Sequence, residues 1–488
     1  MGITEKIKQF ATTVKGKGID AYYVGGYVRD MIANRVGKEI GVESEDYDIC
    51  LVGVINIPAM EKILMEHFQS VSPLVGKFPV WMVKDGDTEI EVALARTETL
   101  TGATRKDFYV ETEGVTIEKD LRRRDFTINA MAVHIVSNTL VDPYGGVTDI
   151  MTGKLQPTSS AFEEDTLRVY RAARLLSRFT WLSPTDKLIS YCKSLTPTDV
   201  SSNRVGRELK KMFKQAKQPS IFFNFLRRVE WLQYHFMPVY RCIGVPQDKT
   251  HHPEGDVYTH TMHCIDATKD PFIRIVMLCH DLGKPDTTTI DGILWEFCRG
   301  AEGKIQAIGH ERCTIVTRRL LTNLEYDNAH IIRKIETLVE LHMIREPVSR
   351  KKVAKTLRKL MNKGLDYQTL VDVVTADLSG RPPRLPSSPN IGQVLAQTLL
   401  KGGMMEPIVT GDMLIAYGIP PSSLLGNVLA KCTDWQDRGT LNKKNWKRMV
   451  DEYLKQLGYD KDRKAKTTTV TNPKTTGGAG VRELQSSS

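Results

Sequence analysis

Two hydrophobic periods divide the chain. From residue 20 to about 150, short apolar runs alternate with polar turns and helical stretches; from about 160 to about 460 the spacing is that of helices almost throughout. Val80-Trp81-Met82-Val83 and Thr88-Glu89-Ile90-Glu91-Val92 flank Lys84-Asp85-Gly86-Asp87, which predicts a hairpin with an Asp-Gly turn. Tyr47, Ile49, Leu51 and Val52 predict a second strand around Asp46 and Asp48. In the helical half, Glu164 to Phe179 reads as a strong helix. Its Arg168, Arg171, Arg174 and Arg178 fall within an arc of about 120° at roughly 100° per residue, with Ala172, Leu175, Leu176 and Phe179 on the opposite side. A second basic helix is expected from Arg350 to Lys359. Residues 467–488, rich in Thr, Gly and Ser, have no core-forming pattern and are expected to be a disordered tail.

At 488 residues the chain is too long for one core, so two to four domains are expected. No stretch approaches the roughly 18 apolar residues of a membrane span, and no signal peptide is visible. Eight cysteines without a C-x-x-C pair argue against a zinc ribbon and for reduced thiols in a cytoplasmic protein. The net charge of +10 favours a polyanionic partner. Half the excess lies between Lys443 and Lys466, with nine basic and four acidic residues. Such runs are often only solvated helix faces; an elongated RNA-binding surface is the sharper reading.

The candidate chemistry starts at Val24-Gly25-Gly26-Tyr27-Val28-Arg29-Asp30, followed by Glu45-Asp46-Tyr47-Asp48. Side chains at i and i+2 of a strand share a face, so Asp46 and Asp48 repel each other unless a divalent cation lies between them. Oxygen ligands suit Mg²⁺, which can activate an attacking hydroxyl and neutralise a departing pyrophosphate. The Gly-Gly turn allows close backbone approach, and the helix expected to open at Val28 presents N–H groups to an anion; Arg29 in its first turn can reach a triphosphate. Glu91, on a strand that can pair beside Asp48, is a candidate third carboxylate or an outward-facing strand residue. Alone, a Gly-Gly turn is usually a turn and a D-x-D pair a solvated edge. Order and proximity distinguish these.

With the cluster Arg122-Arg123-Arg124-Asp125-Phe126-Thr127-Ile128-Asn129 the series lengthens. The runs GGYVRD (25–30), DYD (46–48), VGKFPVW (75–81), VALART (92–97), RRRDFTINAMAV (122–133), DPYGG (142–146) and EDTLRVYRAARLLSRF (164–179) together resemble the class II tRNA nucleotidyltransferases, the CCA-adding enzymes. The bacterial multifunctional form, in which an HD phosphohydrolase domain follows, is the nearest in pattern. The resemblance implies an α+β head of the polymerase-β type over residues 1–155. A helical neck for base recognition (156–240), an HD body (241–390), a helical basic tail region (391–466) and the disordered tail would follow. It further implies that Asp46 and Asp48 hold Mg²⁺ and are catalytic, that Gly26 and Arg29 hold the triphosphate, and that Arg124, Asp165, Arg168, Arg171 and Arg174 contact ATP or CTP.

Elementary chemistry agrees with this implication. A carboxylate only accepts and a guanidinium only donates hydrogen bonds. Asp165 can accept from the amino group of C or A while Arg168 donates to the adjacent ring nitrogen; U and G present the reverse order. One pair thus accepts two bases and rejects two.

The second unit spans His251-His252-Pro253-Glu254-Gly255-Asp256 to His260, and His280-Asp281-Leu282-Gly283-Lys284. Imidazoles and carboxylates so placed can hold a divalent metal. By the resemblance His260, His280, Asp281 and Asp377 match the HD signature, and His310 and His342 its additional histidines. They imply a second divalent ion (Ni²⁺, Mn²⁺ or Mg²⁺) and hydrolysis of 2′,3′-cyclic phosphates and 2′-nucleotides; an HD fold that only shapes a tRNA-holding body is the alternative. Departures from the family are a longer loop between Arg29 and Asp46, Tyr27 in place of a small residue, and an extra tail. The expected partners are tRNA, ATP and CTP, with no membrane and no DNA. Rival readings are a bacterial poly(A) polymerase, or a phosphohydrolase whose N-terminal half only binds tRNA.

Overall fold

Apolar residues at helical spacing start the chain: Ile7, Phe10, Ala11 and Val14 are all fully buried along α1 (Ile3–Lys15). Phe10 meets Phe68 edge-on at 5.6 Å, just beyond α3 (Ile57–His67). Each large apolar side chain buried in this way contributes about 1.5–3 kcal/mol. The computed structural model describes residues 2–40, 47–54, 56–73, 80–100, 108–344, 350–381 and 407–459. Asp46, most of the VGKFPVW run and the tail 467–488 lie outside the described residues.

A seven-stranded mixed sheet forms the head, in the order β3-β4-β5-β2-β1-β8-β9. Its strands are β1 (Asp20–Val24), β2 (Tyr47–Val52), β3 (Ser70–Pro73), β4 (Val80–Asp85), β5 (Thr88–Leu94), β8 (Ala132–His134) and β9 (Leu140–Val141); β6 (Thr97–Leu100) and β7 (Phe108–Glu111) pair separately. The hairpin expected at Asp85-Gly86 is present, with Gly86 in the left-handed region at φ 60°. β2 runs antiparallel to β1 and parallel to β5, and the register sets Asp48 opposite Glu91 and Cys50 opposite Ala93. Alternation along each strand therefore puts Asp48, Cys50, Glu91 and Ala93 on one face. That face packs on α4 (Ile117–Arg122) through Val24, Cys50, Ala95 and Leu121. Asp48 and Glu91 stand one pleat further along.

Beyond the head the chain is largely helical. α6 (Leu167–Arg178) packs on α8 (Ser202–Gln215) and α9 (Ser220–Arg228), around a core of Tyr170, Phe213, Phe222, Phe223, Trp231 and Phe236. The helices Val257–Asp266, Pro271–Cys279, Ala329–Leu341 and Tyr367–Ser379 pack together after them. Two departures from the helical expectation for this half are the short strand Ser183–Pro184, paired with Lys154–Leu155, and a longer interruption. The latter is a three-stranded sheet (Thr288–Ile290, Ile293–Leu294, Ile305–Ala307), turning at Asp291-Gly292, both at positive φ. That Asp-Gly between apolar β-branched runs is itself a hairpin signal.

The chain divides into two compact units. One holds the described residues up to 344 with 363–381; the other holds 350–362 with 407–459. In the second, the basic helix Arg350–Met361 packs on Ser423–Asp437 and Arg358 pairs with Asp437, around a core that includes Leu414, Val428, Trp446 and Val450.

Helix α8 also touches the helix Thr314–Asn323, through a glycine. A Cβ at Gly206 would lie 2.0 Å from the Leu324 carbonyl oxygen, and backbone cannot yield as a side-chain tip can. Gly206→Ala should therefore destabilise the protein by about 1–3 kcal/mol through overpacking. Thermal unfolding checks this; an unchanged Tm would mean the helices do not approach so closely.

Candidate active site and metal centre

The head and neck enclose a cavity of about 710 Å³. Gly26, Arg29, Asp48, Glu91, Arg124, Asp165, Arg168, Arg171 and Arg174 all line it, so every head and neck candidate among the described residues faces one space. Asp46 lies outside the described residues. Counting the whole lining, ten basic side chains (Arg29, Arg96, Arg123, Arg124, Arg168, Arg171, Arg174, Arg178, Arg204, Lys211) face six acidic ones (Asp48, Glu89, Glu91, Asp120, Asp125, Asp165). Such an excess suits a polyanionic ligand.

The glycine pair sets the floor. Helix α2 (Gly25–Arg35) begins at Gly25 itself, earlier than the expected start near Val28, because Val24 already ends β1 in extended geometry. Gly25 has φ 66°, and a Cβ there would lie 2.8 Å from Asp48 Oδ2 and 3.3 Å from Arg124 Nη1. Only glycine lets the first turn of α2 come so close to the carboxylate.

The arginines are held, not solvated. Arg29 donates to Asp30 at 2.7 Å and to Asn129 at 2.8 Å, and lies over the Phe179 ring. Arg178 pairs with the other Asp30 oxygen at 2.9 Å and lies over the same ring, so Phe179 does not serve the apolar side expected of it alone. Arg171 donates to Asp125 at 2.6 Å. Burial alone would raise the Asp125 carboxyl, but Arg171, Asn129 and Arg168 bring it down to about 2. Arg174 is buried on Glu208 at 2.6 Å and Gln215 at 3.1 Å. Asp120, fully buried, accepts from both Arg123 and Arg124 and from the Arg96 N–H.

The expected base-reading pair has its own supports. Arg168 donates to the backbone carbonyls of Ala161 (2.5 Å) and Arg123 (2.6 Å), which uses two of its five N–H groups. Asp165 accepts from both terminal nitrogens of Arg204, at 3.2 and 2.7 Å, and from the Leu167 N–H at 3.1 Å. Burial pushes this carboxyl up, yet Arg204 and the Leu167 N–H leave it below its ordinary range. Arg204, Asp120, Asp125 and Glu208 escaped the sequence reading, since their partners lie far away in the chain.

The second site shares no residue with the first. His260, His280, Asp281, His310, His342 and Asp377 come together, all nearly fully buried. Asp281 Oδ2 lies 3.1 Å from His280 Nε2 and 3.9 Å from His260 Nε2; Oδ1 lies 3.2 Å from His310 Nε2 and 3.8 Å from His342 Nε2. Asp377 Oδ1 sits 2.9 Å from His260 Nε2. The Nδ1 atoms are occupied elsewhere: His280 by Met277 O, His310 by Ala307 O, His342 by Val339 O and His260 by Glu254. An Nδ1–H donated to a carbonyl or carboxylate leaves the Nε2 lone pair free to coordinate. Burial, with His280 nearby, pushes His342 down to about 3, so it is neutral at pH 7. Neither Asp281 oxygen makes a well-aligned hydrogen bond among the described residues. His260 Nε2 bonds to Asp377 Oδ1 and His310 Nε2 to His342 Nε2, while His280 Nε2 and both Asp281 oxygens converge without such a bond, and this donor set fits a divalent cation with positions on both sides of Asp281.

Residues 21–156 match the family model described as the Poly A polymerase head domain. A multifunctional CCA protein of Aromatoleum aromaticum is 34% identical over 375 residues, 74% of this chain and 85% of that protein. One from Nitrosococcus oceani is 35% identical over 277 residues, 55% of this chain, and the match spans only 64% of that protein's length. In structure the chain resembles the CCA-adding enzyme of Bacillus stearothermophilus in complex with CTP, with a TM-score of 0.63 and 18% identity, covering 94% of this chain and 100% of that one. At that identity the likeness is one of fold.

The donor set gives a direct test. Adding Ni²⁺ to the metal-stripped protein should raise its Tm, by an amount equivalent to about 2.7 kcal/mol when the free ion is a hundredfold above Kd. Asp281→Ala should lose most of that increment. An equal increment in the variant would remove Asp281 from the centre.

Proposed function

The chain belongs to the family of multifunctional CCA proteins, and from that membership we propose that it adds C, C and A to the 3′ end of tRNA from CTP and ATP, releasing pyrophosphate. The observation that carries this reading is the head cavity, where Asp48 and Glu91 meet the first turn of α2 under a canopy of held arginines. Two carboxylates side by side fit Mg²⁺, which is commonly bound by one or two carboxylates plus substrate phosphates. Asp48 would hold it, with Asp46 and Glu91 as further ligands. Bound there, Mg²⁺ supplies activation of the tRNA 3′-hydroxyl and charge neutralisation of the leaving pyrophosphate.

The chain's own residues do the rest. The backbone N–H groups of Gly25 and Gly26, with Arg29 behind them, face the triphosphate. Arg124, Arg171 and Arg174 surround the nucleotide, and their fixed partners spare it the cost of ordering them. Asp165 is held in place by Arg204 and the Leu167 N–H, and Arg168 retains three N–H donors. That edge complements C and A and opposes U and G, so base choice needs no nucleic-acid template. The basic runs at 350–359 and 443–466 supply phosphate contacts for tRNA.

A second activity is favoured by the histidine–aspartate centre. His260, His280, Asp281 and Asp377 would hold one transition-metal ion, and Asp281, His310 and His342 a second. The centre would serve hydrolysis of phosphate esters such as 2′,3′-cyclic phosphates and 2′-nucleotides.

Incubation with tRNA lacking its 3′ end and labelled CTP or ATP tests the first activity. CMP incorporation followed by a single AMP supports it, whereas long A tracts without CTP would indicate a poly(A) polymerase. Single substitutions should separate the two sites. Asp48→Ala is expected to abolish C and A addition together while sparing hydrolysis of 2′,3′-cyclic AMP. Asp281→Ala is expected to do the reverse. Parallel loss of both activities in a folded variant would contradict two independent sites, and absence of hydrolysis by the wild type with Mg²⁺, Mn²⁺ and Ni²⁺ would leave the centre a scaffold.

A further inference from the structure

Among the described residues, buried polar atoms without a hydrogen-bond partner gather at the histidine–aspartate centre. Glu254 Oε2, His280 Nε2 and both Asp281 oxygens are acceptors of the sort a metal would satisfy. Gln247 Nε2 and Arg381 Nε are different, because they are donors and no cation can satisfy them. Both residues are only 6% exposed. An unmade buried donor is costly, so a native site that keeps two of them calls for an acceptor.

Their surroundings say what kind. Lys284 Nζ donates to Gln247 Oε1 at 2.6 Å. An ammonium only donates, so the glutamine must turn its carbonyl towards Lys284, and its amide N–H groups are thereby left for something else. Lys284 Nζ also lies 2.7 Å from Asp281 Oδ2. Arg381 stands 3.6 Å from Asp377 Oδ1, an ion-pair distance without a hydrogen bond. A cation placed merely to neutralise Asp377 would close that gap. Burial is also graded: ligand side chains are 0–3% exposed, whereas those of Arg381, Lys284 and His252 are 7%, 9% and 14%. The cations therefore lie on the solvent side of the ligands. Three carboxylates (Asp281, Asp377, Glu254) face two side-chain cations (Lys284, Arg381), so one divalent ion already leaves the centre at +1, and two leave it at +3.

We infer that Gln247, Lys284 and Arg381 form a subsite that receives the non-bridging oxygens of an esterified phosphoryl group. This rests on the metal-centre reading above. The planar guanidinium and the amide present N–H donors to tetrahedral phosphate oxygens, and Lys284 adds a point charge.

The test uses the full-length chain carrying Asp48→Ala, so that bound Mn²⁺ reports the histidine–aspartate centre, with inorganic phosphate as the probe. Phosphorus-31 relaxation by bound Mn²⁺ reads how much phosphate lies beside the metal, and electron paramagnetic resonance reads the Mn²⁺ bound. Arg381→Gln and Gln247→Leu, introduced separately, should each weaken phosphate binding at least tenfold with unchanged Mn²⁺ stoichiometry. Arg381→Lys should recover part of the loss. The same substitutions in a chain with Asp48 intact should leave CCA addition within twofold, which establishes that the variants fold. A nucleoside monophosphate assayed alongside distinguishes the source: tighter, Arg381-dependent binding assigns an esterified phosphate, and binding no tighter than phosphate itself overturns the ester assignment. Unchanged phosphate relaxation in both variants with Mn²⁺ bound would overturn the subsite alone. Failure of the parent to bind Mn²⁺ would overturn the metal centre and the subsite with it.

Discussion

Guanidinium groups crowded around one cavity repel one another: like unit charges 4 Å apart cost about 4 kcal/mol at an effective dielectric of 20. The architecture of the head and neck follows from how that repulsion is cancelled. Each cationic side chain of α6 reaches a fixed acceptor on a different segment: Arg171 to Asp125, Arg174 to Glu208, Arg178 to Asp30 and Arg168 to two backbone carbonyls. These bonds tie α6 to α2, to α8 and to the segment after α4, so one set of interactions both joins head to neck and shapes the site. The cavity keeps a net positive lining with the arginines of α6 held in place, which is what electrostatic preorganisation requires.

The two sites solve opposite electrostatic problems. In the head, carboxylates are few and lie among cations, which suits a weakly held hard ion arriving with a triphosphate. The histidine–aspartate centre instead surrounds its carboxylates with imidazoles whose Nδ1 atoms are committed to Met277, Ala307, Val339 and Glu254. Commitment of one nitrogen decides what the other can do. That set suits a more tightly held transition-metal ion.

Much of this was legible in the sequence because it is local. The Asp85-Gly86 hairpin, the strand bearing Asp48 and the arginine spacing of α6 depend on periods of two or 3.6 residues and on turn chemistry. Residues that hold the site were not legible. Arg204 meets Asp165 across 39 positions and Asp125 meets Arg171 across 46, and nothing in the spacing marks Arg204 or Asp125 as the partner. The role of Gly25 rather than Gly26 as the point of closest approach also needed the fold, since it depends on where Asp48 Oδ2 lies. The Asp291-Gly292 hairpin is the reverse case: its signal was present, but the helical pattern on either side obscured it.

Selectivity between nucleotides follows, in this account, from one immobile carboxylate–guanidinium pair. The most direct test is the ratio of kcat/KM for CTP to that for UTP, measured on tRNA lacking its 3′ end, for the wild type and for Arg168→Ala. Removing the donor that faces the ring nitrogen should lower the CTP rate and narrow the ratio at least tenfold, about 1.4 kcal/mol of lost discrimination. An unchanged ratio at an unchanged rate would contradict it, and would reduce Arg168 to a strut between Ala161 and Arg123.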